Sequence, residues 1–320
     1  MAIEHARARA VPKPWGITDL RPWNKARHDG TAIGEIWFER PDSSAADTSL
    51  LLKVLFTSQP LSIQVHPDDA FARTMGLPRG KTEAWYVLSA TPEAKVGLGL
   101  SRRLTSQQLR DAITDGTISS LVVWRTASAG EVIFVPPGTI HAIGAGLVIA
   151  EIQQRSDVTF RLFDYGRKRE LHVENAILVA DAGPANFQVR PNQLTAERSI
   201  LVSNPHFVFE RMDLLANSSW YLEAERETWL LVLSGGATAG SFDVVTGDAL
   251  FAKSDRVEIH AGAAGMTALV AYTGGGLVPN LLQRLAQSGS IDAGQKEIRM
   301  PTSRTRAEIV PKNDRLETIK

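Results

Sequence analysis

The chain has 320 residues, enough for two modest domains or one large one. Basic and acidic residues balance at 35 each, so no global field draws the protein to nucleic acid or an anionic membrane. Cysteine is absent, which excludes a disulfide framework and thiolate zinc sites and leaves any metal to nitrogen and oxygen donors. Residues 1–14 lack the apolar core of a secretory signal, and no stretch approaches the length of a membrane span. The expectation is a soluble cytoplasmic protein with neither nucleic acid nor membrane as partner.

Residues 1–175 alternate short apolar runs with Gly, Pro and Asp turns, the pattern of an all-β jelly roll or cupin barrel with a helical insertion. Residues 50–55 read as an apolar strand interrupted by one charge, Lys53. In 61–66 the period-two alternation puts Gln64 and His66 on one face. Asp68 or Asp69 can cap a short helix over 70–75, ended by Gly76 and Pro78. Glu83 precedes an apolar strand, 84–88. Thr105 and Gln108 form a capping box for a helix over 107–114, which Asp115-Gly116 terminates. A further helix is expected over 118–124. These helices would make a lid, about 68–125, beside the barrel. Residues 132–135 run as a strand into Pro136-Pro137-Gly138 and present His141 beyond that turn.

Residues 170–180 read as a connection. Short strands then return at 207–209, 228–233, 249–251 and 269–272, divided by turns at Ser234-Gly235-Gly236 and Thr246-Gly247-Asp248. Their order repeats the first layout, so 176–280 are expected to form a second, degenerate cupin-like barrel. It offers no His-x-His pair, and His260 stands alone, so this barrel is expected to be metal-free. Residues 281–320 are expected to form a polar arm or tail.

Gln64, His66, Glu83 and His141 together supply a carboxamide, two imidazoles and a carboxylate, a donor set suited to a divalent metal of borderline softness. Polar side chains aimed into an apolar barrel are costly unless paired or metal-bound. Lys81, two residues before Glu83, shares its interior face. A nearby metal would lower the proton affinity of its amine.

The run Leu61-Ser62-Ile63-Gln64-Val65-His66-Pro67-Asp68-Asp69 resembles type I mannose-6-phosphate isomerase (phosphomannose isomerase), specifically its short bacterial branch. So do Gly80-Lys81-Thr82-Glu83-Ala84-Trp85-Tyr86, Val135-Pro136-Pro137-Gly138-Thr139-Ile140-His141, Ile149-Ala150-Glu151-Ile152-Gln153-Gln154, Lys13-Pro14-Trp15-Gly16 and Ile33-Gly34-Glu35-Ile36-Trp37. The similarity is dense over about 10–175 and weak beyond. It implies one Zn2+ per chain on Gln64, His66, Glu83 and His141. It also implies active-site roles for Glu151, Arg161 and Asp157, and places Lys53 and Ser62 on the phosphate side. The expected reaction is aldose–ketose isomerisation between mannose 6-phosphate and fructose 6-phosphate through an enediol. Either Lys81 or Glu151 would carry the proton, and the small phosphosugar would be the partner of a monomer or homodimer.

Two other readings stay open. Two histidines and a carboxylate in a cupin also suit a non-haem iron oxygenase, although Gln64 would occupy a position that oxygen needs. A non-catalytic sugar-phosphate-binding cupin would keep the metal donors but lose Lys81, Glu151 and Arg161, all of which are present.

Overall fold

Side-chain alternation along the strands decides which layer each residue joins. The computed structural model describes residues 3–24, 29–42, 48–185 and 189–285. In the amino-terminal half, β1 (Arg7–Ile17), β2 (Ile33–Glu39), β3 (Leu50–Thr57), β4 (Ile63–Val65), β5 (Glu83–Ala90) and β6 (Lys95–Leu100) are followed by β7 (Val122–Thr126), β8 (Val132–Val135), β9 (His141–Ile143), β10 (Leu147–Gln154) and β11 (Phe160–Phe163). They build a six-stranded sheet in the order β1-β2-β3-β10-β5-β8 and a five-stranded sheet in the order β11-β4-β9-β6-β7. The predominantly β fold class expected from the sequence is thus the one observed. No helix among the described residues is long and apolar enough to cross a membrane.

β3 shows how the layers form. Leu50, Leu52, Val54 and Phe56 join a core shared with Phe207, Phe209, Trp229 and Leu231 of the carboxy-terminal half. Leu55 points the other way and packs with Trp85, Leu98 and Ile143 between the two amino-terminal sheets. Lys53 has the same parity as Leu55, so its charge is carried into that interior, where it is 3% exposed.

Helices cover the outer face of the five-stranded sheet. α1 (Asp69–Thr74) is capped by Asp68, whose carboxylate accepts from the Phe71 amide at 2.8 Å. α2 (Ser106–Thr114) forms both arms of the Thr105–Gln108 capping box. The helix expected over 118–124 is shorter: α3 (Ile118–Leu121) stops where Val122 begins β7. Val122 and Trp124 pair against β6 instead, opposite Leu100 and Gly97. Gly97 permits this approach, since a Cβ there would lie 2.6 Å from Val122 Cγ1. The connection expected over 170–180 contains α4 (Val173–Val179), which buries Ala176 in the cluster of Leu109, Ile113, Ile118 and Phe160.

The carboxy-terminal half contributes most of a ten-stranded sheet, to which the segment Glu4–His5 adds a strand opposite Leu250 and Phe251. Its strands are longer than expected, including Thr228–Ala239 and Asp255–Thr273. The turn expected at 234–236 is instead a bulged stretch of strand, with register shifts between Val232 and Ser234 and between Gly235 and Ala237. Gly235 takes a φ of +71°, and a Cβ there would meet Gly265 O at 2.0 Å. Leu282–Arg284 pairs with Ser219–Ala224. The rest of the expected tail, 286–320, lies outside the described residues.

Glu227 ties the halves together. Its buried carboxylate accepts the Ser49 amide at 2.6 Å, the Leu50 amide at 2.8 Å and the Trp229 indole N–H at 3.2 Å. Replacing it by alanine leaves three donors without their acceptor. Glu227→Ala is expected to lower the unfolding free energy by about 2–3 kcal/mol, measured by urea titration, with Glu227→Gln losing less.

Candidate metal centre and cavity

β4 lies between β9 and β11, and the register sets Gln64 opposite His141 on one side and Arg161 on the other. Residues directly opposite across antiparallel strands share a face. Arg161, Gln64 and His141 therefore form a row facing the interior, while Ile63 and Val65 pack outward against the helices. The facing sheet contributes a second row, in which Glu151 sits between Lys53 and Trp85. Glu83 opens β5 beside it.

His66, Glu83 and His141 are fully buried and offer donor atoms that all lie within 4.8 Å of one another. The backbone sets the tautomer of each imidazole. His66 Nδ1 donates to Val158 O at 2.9 Å and His141 Nδ1 donates to Thr139 O at 2.8 Å. Each Nε2 is thereby left as a lone pair, the form a metal requires. Both lone pairs face Glu83, with His141 Nε2 at 3.2 Å from Oε1 and His66 Nε2 at 3.7 Å from Oε2. The Gln64 carboxamide is 3.3 Å from His141 Nε2, and turning the amide brings its oxygen there. Glu83 Oε2 is buried, and the close donor beside it is the Lys81 ammonium at 3.1 Å. Two neutral nitrogens, a carboxylate and a carboxamide facing one point fit a divalent cation.

Charges around the cluster divide in sign. Burial alone would push the Glu83 carboxyl up, but Lys81, then His66 and His141, hold it well below the usual carboxylate range. Burial, then Lys81, keeps His66 well below its ordinary value and hence neutral. Glu151 is pushed up to about 8 by burial, against Lys53 and with the help of Glu83. Lys81 Nζ lies 3.1 Å from Glu83 Oε2, 3.2 Å from His66 Nε2 and 3.9 Å from Glu151 Oε1. Burial works against its ammonium, but Glu83, Glu151 and Asp157 outweigh burial and raise its proton affinity. The lowering expected from the sequence depends on a bound cation, which would act against these carboxylates.

The cluster opens into a cavity of about 390 Å3, in the range of small-molecule sites. Its wall is polar and charged, with Lys13, Glu35, Lys53, Arg161 and Arg169 among the lining residues.

No family model matches the chain. A mannose-6-phosphate isomerase from Streptococcus mutans is 38% identical over 192 residues, covering 56% of this chain and 60% of that protein. Another, from Bacillus subtilis, is 39% identical over 173 residues, 52% of this chain and 51% of the relative. In sequence, the chain is similar to mannose-6-phosphate isomerases over about half of its length. It spans between about half and 60% of the length of these curated relatives. The fold agrees: a mannose 6-phosphate isomerase structure from Bacillus subtilis superposes with a TM-score of 0.74 at 22% identity, covering 85% of this chain and all of the other. A point mutant of phosphomannose isomerase from Salmonella typhimurium gives 0.69 at 14% identity, with 85% and 100% covered.

Against that mannose-6-phosphate isomerase background, the residues picked from the sequence fall in one region. Gln64, Lys81, Glu83, Glu151, Arg161, Lys53, Ser62 and Asp157 all line the cavity, and His66 and His141 complete the cluster at its wall. Lys53 lies 4.7 Å from the centre of the Trp37 ring, a cation–π contact. None of the cavity residues comes from α1, α2 or α3; of the segment 68–125 it is Lys81 and Glu83 that line this space. The helices cover the far side of the five-stranded sheet instead. Sequence reasoning assigned no role to Lys13, Trp15, Glu35, Arg169 or His172, which line the same cavity. The first three stand in motifs that carried the family resemblance, and Glu35, like Lys53, is a charge on an apolar strand.

His141→Ala and His66→Ala are each expected to lower bound divalent metal from near one per chain toward zero, read by elemental analysis after dialysis, while circular dichroism keeps its β signature.

Proposed function

We propose that the chain is a zinc-dependent mannose-6-phosphate isomerase that interconverts mannose 6-phosphate and fructose 6-phosphate through an enediol, acting in the cytoplasm. The carrying observation is the pair of backbone-fixed imidazoles whose Nε2 atoms face buried Glu83 at the edge of a charged cavity. Gln64, His66, Glu83 and His141 would hold one Zn2+, and when bound that ion supplies Lewis-acid stabilisation of negative charge on sugar oxygens. A neutral carboxamide as fourth donor leaves more of the cation's charge for the substrate than a second carboxylate would.

The chain's own residues supply the remaining demands. Isomerisation moves a proton between adjacent carbons, so a group must accept it on one side and return it on the other. Lys81 and Glu151, 3.9 Å apart at the cluster, are the candidates for that shuttle. Arg161, opposite Gln64 in its row, is suited to stabilise the negative charge that develops as the enediol forms. Lys53, Ser62 and Asp157 would contact the rest of the sugar phosphate. Residues 1–175 form the catalytic domain in this reading, and 176–280 form a metal-free cupin-like domain that packs against it.

The oxygenase reading is weaker, since Gln64 stands at His141 as a fourth donor. The non-catalytic reading leaves Lys81, Glu151 and Arg161 together in one cavity without a use. A coupled assay with mannose 6-phosphate tests the proposal. Chelation is expected to abolish turnover and Zn2+ to restore it. Arg161→Ala is expected to keep fold and metal while kcat falls by about 100-fold or more. Turnover that survives full metal removal, or near-normal rates in Arg161→Ala, would refute this mechanism.

A further inference from the structure

Between β10, which ends at Gln154, and β11, which starts at Phe160, the chain crosses from the six-stranded sheet to the five-stranded one. Residues 155–159 belong to no strand, yet the site leans on them. Asp157 and Thr159 line the cavity, and the Val158 carbonyl takes the His66 Nδ1 proton at 2.9 Å. A link without ladder bonds keeps a carbonyl aimed only where other groups hold the link itself.

The far end of this arm is held by packing, since the Val158 side chain lies against the cluster of Ile63, Val65 and Phe160. At the near end the Ser156 amide donates to Gln154 O at 2.7 Å and makes a tight corner. Arg155 and the Ser156 hydroxyl fasten that corner to Ser49, Thr48 and Arg79. Gln153 grips it from the face that carries Glu83. This residue is 0% exposed and stands directly opposite Glu83 of β5 and Leu51 of β3. Its Nε2 donates to the Ser156 carbonyl at 2.6 Å and to the Gln154 carbonyl at 3.1 Å.

Two carbonyls facing the amide settle its orientation, because turning it would set oxygen against oxygen. The Gln153 Oε1 is left buried with no donor. An apolar side chain of similar volume would fill this place beside Leu51 without stranding an oxygen. The glutamine is therefore there for its two donors. We propose that Gln153 is a positioning residue for the metal centre: by gripping the Ser156 carbonyl it holds the arm 155–159, and through the Val158 carbonyl it keeps the His66 imidazole aimed at Glu83. This rests on the metal reading above. The His141 ring hangs from Thr139 on a different segment, so it serves as an internal control.

Imidazole N–H signals of 15N-histidine-labelled protein, stripped of metal by a chelator, report the two Nδ1 bonds separately. His66→Ala and His141→Ala assign them. Gln153→Met is expected to speed exchange of the His66 Nδ1 proton with water by about tenfold or more, with His141 unchanged. The same variant should raise the Kd for Zn2+ by about tenfold or more, measured by competition with a chromophoric chelator. Gln153→Glu, whose buried carboxyl keeps a proton between two carbonyls, retains one donor and should lose less. If Gln153→Met does not fold, Gln153→Glu must still show faster exchange at His66 and none at His141. Equal His66 exchange in wild type and variant, or both rings loosened alike, would overturn the assignment. If the wild-type protein binds no divalent cation, the metal reading fails by itself, and exchange in the metal-free protein still decides the role of Gln153.

Discussion

Two hydrogen bonds that involve no other side chain govern the centre of this molecule. The Val158 and Thr139 carbonyls take the Nδ1 protons of His66 and His141, and so decide where the other ring nitrogen points. An imidazole buried without such a partner can adopt either tautomer and offers a lone pair only part of the time. Here the backbone makes the choice, and both lone pairs meet Glu83. Everything charged nearby is arranged around that point: Lys81 against the carboxylate, Glu151 behind Lys81, and Arg161 in register with Gln64.

The ligand-bearing loops are laced to one another as tightly as the rings are fixed. Lys81 N donates to Pro67 O at 3.0 Å, directly after His66. Gly80 N and the Gln154 side chain both donate to Asp69 Oδ1, and Gln154 Oε1 accepts from Thr82 N. Gly80 is pressed against the 67–68 backbone so closely that a Cβ would come within 2.4 Å of it. His66 and Glu83 are consequently held at a set separation by backbone contacts as well as by the sheets.

Much of this was readable in the sequence, for a physical reason. Gln64, Glu83 and Lys53 are polar groups in otherwise apolar strands, and His66 and Lys81 stand within two residues of such strands, where the cost of burial advertises a purpose. The amino-terminal strands and the caps of α1 and α2 followed from alternation and from side chains that bond their own helix starts. What escaped depends on tertiary partners. Arg167-Lys168-Arg169-Glu170 reads as a solvated charge run until Asp164 and Trp15 are brought beneath it. α4 has no side-chain cap to announce it and is held by burying Ala176. α3 ends early because Gly97 lets Val122 and Trp124 join a strand. The glycines at 235 and 236 read as a turn, whereas the neighbouring strand absorbs them as bulges.

The donors come from both faces of the sandwich: Gln64, His66 and His141 from the five-stranded sheet and its margin, Glu83 from the six-stranded one. Trp85, Leu98 and Ile143, packed between those sheets, therefore act as spacers. Their volume fixes the gap across which imidazole and carboxylate face each other. Drift in this apolar filling changes the bite of the polar centre, so residues that never meet a ligand still tune its grip and are constrained by size rather than by chemistry.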